Sequence, residues 1–511
     1  MMAVDKRIVM TICLITSCMS GQAQKIMNRK MFLEDLFQII PKPKFSSINE
    51  FLNESDNFNR NIRKAPTNAN WINESMDKNV LNAFLNFANS AYPILHEDVL
   101  YLCHEFLQIK KVHGSVIEKN LYKSMTVIDV IDRLIKKRPL VFVGSEDEYL
   151  LRNGASGKDN WTLIGQDNLN LTSSNDKVPS IEDYMTYDEI KLAAFLQVSS
   201  FVKPINSGNR KNRGKTTSNG EPCSDMNIIC LEHDTEAVYV GAVGARFEKP
   251  YLMEWQEMIS SKSIESESKD SPIKNLFLNF YSERLDFGAS ENMKDYLDLE
   301  EVKLNHPIYM ERIMIIAETY LLEANQRGKF EELNVHVVVV GLGLGVWKIS
   351  HHQPELFLNA FENTIKKLWE QKLIPYIKEV EFQWIDQVSK FHDEFLPGTD
   401  IKITYSKQDP FSRNNGDNNL KVAMFAWDGN SFPGNEYWYG SLDTSGDPAA
   451  ASCTQIPQLQ NSYINIPNIC ALNTHIASPE FGLLHISEYA KKKIKNEIRM
   501  NESEVAERTE L

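Results

Sequence analysis

Two carboxylates that follow an apolar run near the C-terminus could act together on one sugar. Asp428 comes directly after the apolar run Leu420–Trp427, and Glu436 lies eight residues beyond Asp428. Glycine and proline residues between the two favour an exposed turn. One carboxylate can hold ribose hydroxyls, while the second can assist proton transfer and stabilise an oxocarbenium-like transition state. The pair therefore predicts cleavage of a glycosidic bond, with a purely structural turn as the alternative.

The same loop carries side chains that could bind a nucleotide. Its candidate ligand contacts are Trp427, Asn430, Gly434 and Asn435. Aromatic rings can stack on adenine or fill a core, and the loop offers Trp427, Phe432, Tyr437 and Trp438. Asp447 directly precedes a proline, an order typical of a helix N-cap, so capping is the favoured role for this aspartate.

Two further loops follow apolar runs and are rich in glycine. The first offers Gly241, Gly244 and Arg246 as ligand contacts and ends near Glu254, a third candidate catalytic residue. The second has three alternating glycines, which are Gly341, Gly343 and Gly345. Glycine lets backbone N–H groups approach a ligand closely, as a pyrophosphate requires. A Rossmann-like turn or a tight packing turn is the alternative, but a Rossmann fingerprint has GxGxxG early in the chain.

Strands and helices alternate in the part of the chain that carries these loops. Apolar runs predict strands at 140–144, 237–243, 335–340, 380–385, 401–405 and 420–427. Helical periodicity predicts helices at 187–198, 307–325 and 356–368. This alternation is typical of an α/β sheet with helices on both faces. Ligands of such sheets bind at the carboxyl ends of strands, where all three loops lie.

The N-terminal part of the chain divides into regions of different character. Residues 1–23 resemble a signal peptide because a basic pair precedes the apolar run 8–19, with small residues after it. This predicts entry into the secretory pathway, with a cytoplasmic location or delivery into a target cell as alternatives. Residues 24–134 predict an irregular leader, up to residue 75, and then helices with a break near Pro93. The main domain is expected at 135–487 and a charged tail at 488–511.

Composition restricts the partners. The net charge of −14 argues against a nucleic-acid partner, because such proteins usually present a basic surface. No apolar run after the N-terminus approaches the length of a membrane span, which predicts no stable membrane insertion. The seven cysteines are widely spaced and do not form a disulfide pattern, and no zinc motif is present. The sequence therefore predicts neither a metal nor a cofactor.

Together the loops resemble those of the macrodomain superfamily, and most closely its MavL-like group. The resemblance rests on residues 206–214, 241–254, 341–347 and 425–465, and it covers roughly residues 135–480. It implies a macrodomain-like mixed sheet with helices on both faces. It also implies that Gly341–Gly345 wrap a diphosphate and that Asp428 grips the distal ribose. Asp400 and Asp409 are further carboxylates that could carry the family's catalytic role.

This resemblance implies an enzyme that hydrolyses ADP-ribosyl linkages on modified protein, with ADP-ribose or ADP-ribosylated protein as partner. The first loop also resembles the poly(ADP-ribose) glycohydrolase pattern, in which a glycine run leads to a pair of glutamates. Here only Glu254 stands where that pair would be. Two alternatives are a non-catalytic reader of ADP-ribose and a secreted interaction protein built on a degenerate macrodomain.

Overall fold

Ten strands form one mixed sheet that organises the molecule. In the computed structural model they are β1 Tyr92–His96, β2 Gln197–Val202, β3 Ala237–Ala242, β4 Val335–Val340, β5 Ile377–Gln383, β6 Glu394–Phe395, β7 Lys402–Ser406, β8 Leu420–Ala426, β9 His475–Ser478 and β10 Gly482–His485. Their order in the sheet is β6-β7-β5-β4-β8-β3-β2-β1-β9-β10. The structure describes residues 32–62, 71–167, 178–205, 208, 236–260, 271–285, 298–299, 302–385, 391–411, 418–439 and 446–509.

The centre of the sheet is parallel. Strands β7, β5, β4, β8 and β3 run in one direction, while β2 is antiparallel to both of its neighbours. The carboxyl ends of these five strands therefore lie along one edge of the sheet. Small antiparallel sheets are formed by 141–143, 148–150 and 156–157, and by 259–260, 298–299 and 302–304.

Helices precede, connect and follow the strands of the sheet. They are α1 Ile48–Asn59, α2 Lys78–Ser90, α3 Glu97–His113, α4 Val116–Tyr122, α5 Val127–Lys136, α6 Tyr187–Ala193, α7 Trp255–Met258, α8 Pro272–Arg284, α9 His306–Glu331, α10 Gln353–Glu370, α11 Asn435–Tyr439, α12 Asp447–Cys453, α13 Ile456–Leu459 and α14 Ile486–Thr509. Short 3-10 turns lie at Trp161–Leu163 and Ala471–Asn473.

Helix α9 fixes one face of the sheet. It begins where the Asn305 side chain accepts a hydrogen bond from the N–H of Ile308, and it ends where Glu332 adopts a left-handed conformation. Its Tyr320 hydroxyl donates to the carbonyl oxygens of Val338 on β4 and Val422 on β8, each at 2.8 Å. These bonds satisfy a buried hydroxyl and hold the helix across the parallel strands.

The opposite face is covered by the chain that follows α13. Gln460 is fully buried there, and its amide donates to the Ser200 hydroxyl on β2 and the Tyr239 carbonyl on β3. Helices and the segments that join them therefore lie on both faces, as the sequence predicts. The predicted α/β class with a mixed sheet is confirmed.

The chain separates into two compact units. The larger one is Lys42–Leu483 and contains β1 to β9 with the helices between them. The smaller one combines residues up to Pro41 with Leu484–Leu511, and it contains a helical turn at 32–37 and helix α14. The predicted signal peptide lies outside the described residues. Among the residues that the structure describes, no helix has both the length and the apolar character needed to cross a membrane.

Two local predictions differ from the structure. Helix α6 ends at Ala193, and Gln197 begins a strand that is buried on both faces, so the predicted helix 187–198 is too long. The predicted break between two helices near Pro93 is present, and it contains strand β1. The leader predicted to be irregular contains α1, whose Phe51 and Leu52 are buried. Tertiary packing supplies stability that the Asn- and Ser-rich sequence does not reveal.

Candidate functional site

A cleft of about 810 Å³ opens at the carboxyl ends of β3, β4 and β8. It is lined by Phe142, Val143, Gly144, Ser145, Gly244, Glu248, Gly341, Gly343, Gly345, Val346, Trp347, Ala426, Trp427, Asp428, Asn430, Asn435, Glu436, Gly446, Asp447 and Pro448. The three loops singled out in the sequence all contribute to this lining. The volume is sufficient for a nucleotide-sized ligand.

Two glycine loops form one wall of the cleft and touch each other through their backbones. A Cβ on Gly244 would lie 2.5 Å from the Gly343 nitrogen, and a Cβ on Gly343 would lie 2.7 Å from the Ala245 carbonyl oxygen. Gly343 also has a φ of +73°, which L-residues with side chains rarely adopt. These glycines are therefore required for the two loops to pack.

The end of the second glycine loop faces open space. A Cβ on Gly345 would meet no atom within 4 Å. Within the described part of the chain, the N–H groups of Gly345, Val346 and Trp347 have no acceptor. Successive N–H groups without internal acceptors are the feature that lets a loop bind an anion.

The carboxylates that line the cleft are called the carboxylate wall here, and Asp428 is one of them. Its Oδ1 atom accepts hydrogen bonds from the backbone N–H groups of Asn430 at 2.8 Å and Ser431 at 3.2 Å. Burial raises the pKa of Asp428, while these two bonds and the guanidinium groups of Arg246 and Arg138 oppose that rise. The sequence puts Asp428 at a strand end, and the structure places it two residues after β8.

Asn435 links Asp428 to a second aspartate. Its side-chain amide donates to Asp428 Oδ2 at 2.6 Å, and its backbone N–H donates to Asp447 Oδ2 at 2.8 Å. Burial, together with the negative charge of Asp428, raises the pKa of Asp447 well above its ordinary value. Asp428 accepts more hydrogen bonds than Asp447, which favours the ionised form of Asp428 over that of Asp447.

Asp447 corrects a sequence prediction. The residue that caps α12 is Gly446, and Asp447 is already the first residue of the helix. Its carboxylate points to Asn435 and the cleft instead of capping its own helix. Proline in the first turn agrees with the prediction, but the predicted capping role of Asp447 is wrong.

Glu248 is a fourth carboxylate of the cleft, together with Asp428, Glu436 and Asp447. Its Oε2 atom is buried and has no hydrogen-bond partner among the described residues. Its Oε1 atom packs so closely on Gly144 that a Cβ there would overlap it. Burial raises the pKa of Glu248 to about 7. A carboxylate with a pKa near neutrality is suited to proton transfer.

The remaining candidates are divided between the cleft and the layer beneath it. Those in the lining are Gly244, Gly341, Gly343, Gly345, Trp427, Asn430, Asn435 and Glu436. Arg246 and Glu254 are buried behind it, where Glu254 lies between Arg246 and Arg312. Gly241 is inside β3, packed against the Phe425 ring, and Gly434 packs near Ala451.

The aromatic residues of the third loop are core residues rather than an open stacking surface. The exposed fraction of Trp427, Phe432, Tyr437 and Trp438 does not exceed 2%. Phe58 of α1 contacts both Phe432 and Trp438 with its ring edge. The N-terminal leader therefore packs against the loop that follows β8.

Sequence reasoning missed Glu248 and the segment Phe142–Ser145 as parts of the cleft. Both were near recognised features, since Glu248 follows the first glycine loop and Gly144 ends an expected strand. Their approach to each other depends on tertiary packing and has no local signal. Asp400 forms an ion pair with Lys378 at 2.8 Å, and neither Asp400 nor Asp409 is in the cleft lining. In the described ranges, no group of His, Cys, Asp and Glu side chains is arranged to hold a metal ion.

The protein is of the α/β class, and its glycine loops and carboxylates line one cleft at the carboxyl ends of the parallel strands. Comparison with known proteins gives the particular family. The family model described as "ADP-ribosylhydrolase MavL-like" matches residues 49–492. The chain belongs to this ADP-ribosylhydrolase family, so both the predicted family and the predicted enzyme class are confirmed.

Two curated proteins of Drosophila melanogaster are similar over most of their length. The chain is 35% identical to ADP-ribosylarginine hydrolase CG3568 over 432 residues, which is 79% of this chain and 81% of the relative. It is 32% identical to ADP-ribosylarginine hydrolase CG2909 over 444 residues, which is 80% of this chain and 83% of the relative. The family match begins at residue 49, so it includes the helical N-terminal region as well as the cleft.

Proposed function

We propose that this protein hydrolyses the bond between ADP-ribose and the guanidinium group of arginine, on ADP-ribosylated protein. The observation that carries the proposal is the charge of the cleft. Glu248, Asp428, Glu436 and Asp447 line it, whereas no lysine, arginine or histidine is found among its described lining residues. A cationic leaving group is favoured in such surroundings, because nearby opposite charges in a partly buried site interact strongly.

The two walls of the cleft would bind different ends of the ligand. The N–H groups of Gly345, Val346 and Trp347 would hold the diphosphate without any basic side chain. The distal ribose would then reach Asp428, whose carboxylate would accept hydrogen bonds from ribose hydroxyls. The arginine side chain would extend past Glu436 and Glu248 towards solvent. This division keeps the anionic phosphates on the glycine wall and the guanidinium cation on the carboxylate wall.

The carboxylates would also carry the chemistry. Water adds its oxygen to the anomeric carbon of the distal ribose, and the bond from that carbon to the arginine nitrogen breaks. A carboxylate removes a proton from the water, and the departing nitrogen receives a proton, so that arginine and ADP-ribose are the products. Glu436 and Glu248 are the candidates for the base. Asp428 would stabilise the positive charge that develops on the ribose in the transition state.

The fold supports a variant of the macrodomain as the scaffold for this activity. The parallel strands β5, β4, β8 and β3 present the glycine loops and the carboxylate loop at one edge. We also propose that the N-terminal segment directs the protein into the secretory pathway. A tagged full-length chain should then be recovered from that pathway and lose residues 1–23, which mass spectrometry of the mature N-terminus would detect.

The activity can be tested with defined substrates. The full-length protein is incubated with ADP-ribosylarginine, with an arginine-ADP-ribosylated protein and with a glutamate-ADP-ribosylated protein, and free ADP-ribose is measured by chromatography. Release from both arginine substrates should exceed release from the glutamate ester by roughly tenfold or more, the ratio given by about 1.4 kcal/mol of preference. An equal rate on the ester would contradict the charge argument. No release from any substrate would contradict the proposed function itself.

A further inference from the structure

Beneath the cleft, two buried arginines hold the turn that presents Asp428. The side chain of Arg138 is 1% exposed and that of Arg246 is fully buried. Arg138 Nη1 donates to the Gly429 carbonyl oxygen. Arg246 Nη1 donates to the Asp428 carbonyl oxygen at 2.9 Å and to the Asn430 side-chain oxygen. Two guanidinium groups therefore bind three consecutive residues of one turn.

Each arginine is itself held rigidly. The guanidinium of Arg138 lies 4.5 Å from the centre of the Trp427 ring, a cation–π contact. Arg246 Nη2 donates to the Ile190 carbonyl oxygen at 3.1 Å, and its Nε lies 3.8 Å from Glu254. Both guanidinium groups thus reach the turn from well-packed positions on the chain after α5 and after β3.

The same buried layer extends to the glycine wall. Glu254 also pairs with Arg312 at 3.3 Å. Arg312 donates to the carbonyl oxygens of Val243 at 3.2 Å and Gly244 at 3.3 Å. The chain Arg246–Glu254–Arg312 consequently connects the base of the carboxylate turn with the base of the first glycine loop.

Stability alone does not explain this arrangement. Burying a charged group is costly, and replacing buried ion pairs with apolar side chains of similar size is often neutral or stabilising. Nε and Nη2 of Arg138 have no hydrogen-bond partner among the described residues, which adds to the cost. Burial lowers the pKa of Arg138 to about 9, a decrease that Asp428 opposes, so the guanidinium is charged at neutral pH.

We infer that Arg138 and Arg246 are positioning residues, which hold the turn that directs the Asp428 side chain and place positive charge beside its carboxylate. This inference rests on the proposed hydrolysis. The charged groups coupled to Asp428 are Arg138, Arg246, Glu248 and Asp447. Two of the four are carboxylates, and the two arginines are the groups whose positive charge favours ionisation of Asp428. Neither guanidinium is among the lining residues, so neither contacts the substrate directly.

Paired substitutions separate the charge from the geometry. Arg138→Met and Arg246→Met remove a positive charge, so the pKa of Asp428 rises and the acid limb of kcat/KM moves to higher pH. An opposite charge at close range shifts a carboxylate by about one pH unit, and a shift of about half a unit or more is expected here. Arg138→Lys and Arg246→Lys keep the charge but lose the guanidinium geometry. They should leave the limb in place and lower kcat by about tenfold or more, with little change in KM.

A matched control is Arg133→Met. Arg133 is 4% exposed and pairs with Glu189 at 2.6 Å, it donates to the carbonyl oxygens of Ile181 and Tyr184, and it lies over the Tyr122 ring. This variant should lose thermal stability without moving the pH limb. The rates are measured with ADP-ribosylarginine on the full chain.

The outcomes distinguish this inference from the proposed function. A wild-type protein that releases no ADP-ribose contradicts the function. An active wild type whose Met variants fold and keep their acid limb contradicts the positioning role. If the Met variants do not fold, the Lys variants decide, because wild-type kcat in both would show that the turn does not depend on the guanidinium groups.

Discussion

Gly244 and Gly343 lie backbone against backbone, with a Cβ on Gly244 only 2.5 Å from the Gly343 nitrogen. The loops that follow β3 and β4 therefore fix one another, and neither can accept a side chain at the contact. Gly345 is two residues further on and has open space around its Cα. The alternating glycines thus have different functions, because Gly343 serves packing and Gly345 leaves room beside the cleft.

Substitutions at these two glycines should affect different properties, which are ligand affinity at Gly345 and thermal stability at Gly343. Gly345→Val should weaken ADP-ribose binding with little change in the melting temperature, because the side chain projects into the space where a ligand would approach. Gly343→Val should lower the melting temperature by several degrees, since its side chain meets the Ala245 carbonyl and its φ is positive. Calorimetry with ADP-ribose and thermal unfolding measure the two quantities. Unchanged affinity in Gly345→Val would remove the second glycine loop from the binding site.

Glu248 should make the stability of the protein depend on pH. Burial raises the pKa of this carboxyl from 4.5 to about 7 in the folded chain. The ionised form is therefore disfavoured by folding, and the penalty is absent below about pH 4.5 and complete above about pH 7. Glu248→Gln should raise the free energy of unfolding at pH 8 by about 1–3 kcal/mol and change it little at pH 4.5. Denaturant unfolding at both pH values provides the measurement.

The activity of this variant gives an independent result. If Glu248 exchanges protons during hydrolysis, Glu248→Gln lowers kcat and removes an ionisation near pH 7 from the pH–rate profile. A variant that is more stable at pH 8 and fully active would show that Glu248 is a buried carboxylate without a catalytic function.

Much of the architecture could be predicted because it depends on local periodicity. The run Val335–Val340, which is apolar except for His336, is a strand in the structure with the bounds expected from the sequence. The three loops were recognised because each combines an apolar strand with glycine, and α/β sheets bring such loops to one edge. Each apolar run and the glycines that follow it lie within about fifteen residues of sequence, and the structure keeps the strand and the loop that they predict.

The finer assignments depended on contacts that no local pattern shows. Arg246 and Glu254 carry the residue types of a binding site, yet the structure buries them together beneath it. Asp447 has the sequence of a helix cap, but its carboxylate accepts from the backbone N–H groups of Asn435 and Gly434 at the cleft. Trp438 was likewise a candidate for stacking on a ligand, but it is buried and its ring contacts Phe58 of α1. A polar residue near a turn can therefore be recognised from sequence, but the direction of its side chain cannot.

Asn435 should influence both the stability of the fold and the pKa of Asp428, because it donates hydrogen bonds to Asp428 and Asp447. Asn435→Ala removes the donor to Asp428 and also the bonds to the backbone of Phe142. Each lost bond to a buried group costs about 1–3 kcal/mol, so the melting temperature and kcat should both fall. Asn435→Asp keeps the size of the side chain and adds a negative charge beside Asp428. It should raise the pKa of Asp428 and move the acid limb of kcat/KM to higher pH, which pH–rate measurements on both variants would reveal.

Asp428 is the residue for which binding and catalysis can be separated most clearly. Its carboxylate is directed by bonds from Asn430, Ser431 and Asn435, and it faces the cleft between the glycine loops and the other carboxylates. If it holds the distal ribose, Asp428→Ala should weaken ADP-ribose binding. Loss of a hydrogen bond to a charged group costs about 1.5–3 kcal/mol, or roughly ten- to a hundredfold in affinity.

Asp428→Asn keeps the shape of the side chain and removes only the charge. An oxygen remains to accept from a ribose hydroxyl, so most of the affinity for ADP-ribose should remain. The rate of ADP-ribose release should fall much further, because a negative charge acts mainly where positive charge develops on the ribose in the transition state. The two measurements are therefore calorimetry with ADP-ribose and single-turnover release from ADP-ribosylarginine. Equal losses in both would assign Asp428 to binding alone, and wild-type rates in both variants would show that the reacting sugar lies elsewhere in the cleft.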